Sequence, residues 1–129
     1  MYKLVLLFFF CIPNFGFSNG DWELITTNNN PQSTYANFST LEKYGTTVRM
    51  WSMYDYNVTQ KLSTLNFLSV KTFDEYKCRE QTMQNLKSIY YNGPMGSGSI
   101  VYSDNGDKVP SLVQLNTVGM KKYIKACTK

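Results

Sequence analysis

Two cysteines, Cys78 and Cys127, constrain this 129-residue chain more than any other feature. The third, Cys11, lies in the uncharged run Leu4–Ile12, which follows the basic start Met1-Tyr2-Lys3 and is broken by Pro13-Asn14. A basic start and a short apolar run make a secretory signal, whereas a membrane-spanning helix needs about 20 apolar residues. Gly16 and Ser18 supply the small residues ahead of a cut before Asn19, and a cut after Gly20 is nearly as good. The expectation is therefore a signal peptide over residues 1–18 and one exported domain over 19–129. A lipid anchor would need its cysteine directly after a small residue, but Cys11 follows three phenylalanines and leaves with the signal. In an oxidising compartment Cys78 and Cys127 then have only each other to pair with, two free thiols being the competing reading. A bridge across this loop stabilises a chain by up to ~4 kcal/mol, a large share of what a small domain has.

Loss of Lys3 with the signal reduces the formal charge of +4 by one, a mild excess that argues little for nucleic acid. The chain has no histidine, so a serine or cysteine nucleophile with a histidine base has no place here, nor does a histidine zinc site. Asp74-Glu75 and Asp104/Asp107 lack the spacing of a calcium loop. Gly96-Ser97-Gly98-Ser99 lacks the lysine of a P-loop and leads into a strand pattern, which makes it a hairpin connection. No catalytic residue, cofactor or metal is expected, and the reading is a binding or structural module, not an enzyme.

Asp21–Thr27 alternates as a first strand, Asn28-Asn29-Asn30-Pro31 reads as a turn, and Thr34–Phe38 follows as a second strand that turns at Lys43-Tyr44-Gly45. Thr46–Tyr56 is the clearest strand. Val48, Met50, Ser52, Tyr54 and Tyr56 share one side, with Arg49, Trp51 and Met53 on the other, so both faces should be covered. Leu65–Phe73 gives another strand, with Leu65, Phe67 and Phe73 on one side and Leu68 and Val70 on the other. The stretch from Asp74 to Tyr91 fits helix or strand, and one long strand is adopted. Short strands at Ser99–Ser103 and Leu112–Leu115 complete the sheet.

The final segment carries the sharpest helical period. Thr117 is placed to cap it, Met120, Tyr123, Ile124 and Cys127 form an inward stripe, and Lys121, Lys122 and Lys125 fall opposite. With Lys129 these lysines are the candidate ligand-binding patch, offered to an acidic or lysine-recognising protein partner. The tyrosines Tyr54, Tyr56, Tyr90, Tyr91 and Tyr102 suit a recognition surface or a shallow core.

In their order, Trp22, Val48-Arg49-Met50-Trp51-Ser52-Met53-Tyr54-Asp55-Tyr56, Ser69-Val70-Lys71, Tyr76-Lys77-Cys78, Tyr90-Tyr91, Met95-Gly96-Ser97-Gly98 and Cys127 resemble the surface-adhesin protein E family of Gram-negative bacteria. The resemblance implies an α+β fold. Its core is a bent antiparallel sheet of about six strands, with a C-terminal helix tethered to the concave face by the disulfide. It also implies adhesion to host extracellular proteins such as vitronectin, laminin and plasminogen. The chain departs from lipid-anchored members in lacking an anchor signal, and from many relatives in having Asn116-Thr117 ahead of the last helix. A periplasmic inhibitor or envelope accessory protein is the alternative class, and the location is periplasm, outer-membrane surface or medium. No nucleic acid and no membrane span are expected.

Overall fold

A computed structural model describes residues 21–27 and 32–129. The expected signal peptide with its cleavage site, and the expected turn at 28–31, lie outside the described residues. Six strands run antiparallel in chain order: β1 (Trp22–Thr27), β2 (Gln32–Tyr44), β3 (Thr47–Leu62), β4 (Leu65–Lys77), β5 (Thr82–Tyr91) and β6 (Ile100–Asp104). A two-residue strand, β7 (Ser111–Leu112), pairs with the start of β5 on the same edge that β6 occupies at its end. One helix, α1 (Val118–Thr128), ends the chain. No helix among the described residues is long and apolar enough to cross a membrane.

The second, third and fourth expected strands are present and longer than their alternation shows. β2 continues past Phe38 to Tyr44, and the turn falls at Gly45-Thr46. The stretch 74–91 is extended, yet it is not one strand: Cys78–Gln81 forms a hairpin turn between β4 and β5, with Gln81 at φ 57°. No glycine or proline marks that turn, so nothing in the local pattern announced it. The expected strand Leu112–Leu115 shrinks to Ser111–Leu112. Phe67 does not sit beside Phe73. It packs edge-on against Tyr56 and Tyr90, while Phe73 stacks on Trp51, because a register shift between Asp55 and Gln60 breaks the alternation.

β3 is covered on both faces, as its two apolar sides require. On one, Val48 and Met50 join Ala36, Tyr76 and Ala126 in the core beneath α1, with Ile25, Phe38 and Leu41 packed around them. On the other, the short turn Pro94–Gly96 folds over β3 and β4. The Met95 N–H donates to Asp55 Oδ1 (2.7 Å), the Gly96 N–H donates to Ser69 Oγ (2.8 Å), and Ser69 Oγ donates to the Gly93 carbonyl (2.7 Å). Met53 and Ser69 are thereby fully buried.

The Thr117 cap forms as expected, its Oγ1 accepting from the Met120 N–H at 3.1 Å. Thr117→Ala should cost about 1 kcal/mol, read as a shift in urea midpoint with an unchanged slope. The helix is fixed to the sheet by the Cys78–Cys127 disulfide, with Cα atoms 5.7 Å apart, and by Tyr123, whose hydroxyl donates to the Cys78 carbonyl at 2.6 Å.

The inward face of α1 keeps three residues of the expected stripe, Met120, Tyr123 and Cys127, but not the fourth. Ile124 is 51% exposed, whereas Lys122 is buried with 1% of its side chain accessible, beside Ala126. Lys122 Nζ donates to the Tyr54 hydroxyl (2.8 Å) and lies 3.6 Å from Asp74 Oδ2. Asp74 also accepts from Thr72 Oγ1 and Asn85 Nδ2. Burial alone would pull the Lys122 ammonium down, but its hydroxyl and carboxylate neighbours outweigh that and hold it above the usual lysine range. Burial pushes the Tyr76 phenol far up; its hydroxyl and that of Ser52 are buried without a hydrogen-bond partner.

Candidate functional site

The lysines singled out in the sequence do not form one patch. Lys121 is exposed, and Lys122 is inside the core. Lys125 donates to Glu23 Oε1 at 2.7 Å, a hydrogen bond that holds the Glu23 carboxyl below the usual range. Lys129 lies with Nζ 4.7 Å from the Phe38 ring centre, and its carbonyl accepts from Lys43 Nζ. Of the recognition tyrosines, Tyr54 is committed to Lys122, and Tyr56, Phe67, Tyr90 and Tyr102 form a ladder across β3 to β6.

The best-formed concavity lies on the opposite side of the sheet from α1. Antiparallel register sets Trp22, Asn37, Trp51 and Phe73 side by side across β1 to β4, with Lys71 and Ile89 in the next row. Their side chains, with Thr40 and Tyr91, line a groove of about 300 Å³, at the small end for ligand pockets. Both tryptophans of the chain are in it.

Lys71 is the cation in the groove wall among the described residues. Its Nζ is 5.2 Å from the Tyr91 ring centre and 5.9 Å from that of Trp22, within the range of cation–π attraction. No carboxylate among the described residues is within ion-pair distance of it. Arg49 on the same face is instead paired with Glu75 across the strands, Nε to Oε2 at 2.8 Å. Gly96 leaves the space that Lys71 fills: with φ at 68°, it has no Cβ, and one would stand 2.4 Å from Lys71 Cε. The glycine-rich connection thus shapes the groove. Burial raises the Tyr91 phenol, which keeps its proton at neutral pH.

Thr40 sits at the groove for a structural reason. Its hydroxyl donates to the Asn37 carbonyl (2.7 Å) and accepts from the Trp51 N–H (3.1 Å), closing the register shift between Asn37 and Glu42. Sequence reading noted Trp22, Trp51 and Tyr91 but did not join them. The available signal was the pair of tryptophans on strands that a meander places two apart.

Among the described residues no group of three or more acidic, cysteine or histidine side chains is arranged to hold a metal ion. No curated protein matches the chain in sequence. Among solved structures, Haemophilus influenzae protein E is similar in fold. Its crystal form II aligns with a TM-score of 0.69 at 11% identity, over 84% of this chain and 87% of that one. A structure of protein E from non-typeable Haemophilus influenzae aligns with a TM-score of 0.65 at 11% identity, over 84% and 76% of the two chains. The family model for surface-adhesin protein E matches residues 22–128, a span that contains every strand, the helix and the disulfide described above. The chain therefore belongs to the surface-adhesin protein E family.

Proposed function

We propose that this chain is an exported, adhesin-like binding module, without catalytic activity, that recognises a host extracellular protein through the Trp22–Trp51–Lys71–Tyr91 groove. In this reading residues 1–18 direct export and 19–129 form the binding domain. The observation that carries it is the placement of both tryptophans and a carboxylate-free lysine in a groove outside the helix-covered core. Aromatic anchors held by a rigid sheet lose little entropy on binding and dominate interface energies. Family membership supports a protein partner and export.

Capture by laminin- or vitronectin-coated surfaces tests it. Trp51→Ala should weaken capture by roughly thirtyfold, the effect of losing an interface hot spot. The helix lysines offer a second surface, of which Lys121 and Lys129 are exposed and Lys125 is half-exposed. Substituting these three by glutamate, with Lys122 left in place, separates the two. Loss of capture in that variant but not in Trp51→Ala moves the site to the helix side. No capture by the parent, together with resistance to protease on intact cells, returns the periplasmic inhibitor or accessory reading.

A further inference from the structure

The groove's hydrogen-bonding inventory is one-sided. The Asn37 side-chain oxygen already accepts from the Ser39 backbone N–H and Ser39 Oγ, which turns the amide NH₂ outward. Thr40 has used both its donor and an acceptor lone pair. Asp55, on the same face, is turned to the Met95 N–H and lies outside ion-pair distance of Lys71. Among the described residues, the groove's side-chain hydrogen bonds are those of Asn37 Oδ1 and Thr40, and the Lys71 ammonium, the Asn37 amide NH₂ and the indole N–H groups of Trp22 and Trp51 donate to no protein acceptor. Apart from the Tyr91 hydroxyl, which can do either, what the groove leaves unsatisfied is donors. A ligand that fits must bring acceptor oxygens, and beside an ammonium these are best supplied by an anion.

We propose that the groove binds a single side-chain carboxylate of an extended peptide, with an aromatic or aliphatic neighbour of that acidic residue laid against Trp51 and Ile89. This names the ligand class of the site proposed above and rests on that reading. Three observations favour a peptide carboxylate over a sulfated polysaccharide. Among the described residues Lys71 is the only cation lining the groove, whereas a polyanion is held by several cations along its length. The nearby Arg49 is already neutralised by Glu75. A volume of about 300 Å³ accommodates one or two side chains, and its walls are predominantly aromatic and aliphatic.

Because the chain's two tryptophans both line the groove, their emission reports occupancy directly. The probes are acetyl-Phe-Glu-Phe-amide, its glutamine counterpart and a sulfated heparin disaccharide, titrated into the folded, disulfide-bonded domain. The glutamate peptide should give a saturable change in emission. The glutamine peptide, and the glutamate peptide on Lys71→Gln, should bind at least about tenfold more weakly, as expected for loss of a charge-assisted hydrogen bond. Gly96→Ala, whose methyl group displaces Lys71, should match Lys71→Gln. Equal affinity for the glutamate and glutamine peptides, no response to either, or tighter binding of the disaccharide overturns the proposal. If these fail while Trp51→Ala still weakens capture by coated surfaces, the ligand class is wrong and the site stands. Unchanged near-ultraviolet circular dichroism in Lys71→Gln and Gly96→Ala separates lost binding from lost folding.

Discussion

Asp74→Ala should destabilise the domain by about 3–5 kcal/mol, the cost of leaving one member of a buried ion pair without its partner. The Lys122 side chain is 1% accessible, and Asp74 is the one carboxylate facing its ammonium among the described residues. Removing Asp74 also strands Thr72 Oγ1, which donates to it, and takes one acceptor from Asn85 Nδ2, which keeps the Lys87 carbonyl. The double variant Asp74→Leu/Lys122→Met replaces both charges with apolar groups and should recover most of the loss. Urea unfolding followed by tryptophan emission measures both. A loss below about 1 kcal/mol in the single variant would show that Lys122 reaches water by moving out of the core. The same residues set an alkaline limit. Lys122 and Tyr76 both have folded-state values raised above the ordinary 10.5 and 10.0, so each favours the folded state fully below those values. As the pH rises past about 10 the unfolded chain loses these protons first, and stability falls. Lys122→Met should flatten that decline.

Replacing both cysteines by alanine should cost up to ~4 kcal/mol, because the bridge joins residues 49 apart in sequence. The effect should appear as a lower urea midpoint, accompanied by faster hydrogen exchange in α1 than in β3 and β4. The remaining anchors of the helix are the Tyr123–Cys78 hydrogen bond, the Lys122 cluster and the exposed Lys125–Glu23 pair, the last of which contributes little in water. A midpoint unchanged within error would show that these anchors alone fix the helix.

The sheet was legible because its strands alternate cleanly where they are regular, as in Val48, Met50 and Ser52 against Arg49 and Trp51. It failed where the backbone departs from a period of two: at the glycine-free turn Cys78–Gln81, and at the register shift that separates Phe67 from Phe73. The helix was located and capped correctly, and Met120, Tyr123 and Cys127 do face inward, but Ile124 and Lys122 were assigned to the wrong sides. Hydropathy counts Lys122 as a surface residue, and only the distant Asp74 and Tyr54 make its burial tolerable. A one-dimensional pattern cannot carry that compensation. The groove was invisible for a related reason: Trp22, Trp51, Lys71 and Tyr91 come from four strands, and only register assembles them.

The order in which the strands pair has a consequence for how the protein matures. Each of the six main strands binds its neighbour in the chain, so the sheet can zip through short loop closures, each cheap in entropy. Docking of α1 is the long-range event, and it brings Cys127 to a hairpin turn that exists only once β4 and β5 have paired. The expectation is that oxidation comes last, on a sheet already built, so that quenching refolding early should trap free thiols in a chain with native sheet content. A chain emerging from export in reduced form would present a formed groove face before its helix is locked, and the bond would set the lifetime of the fold more than its formation.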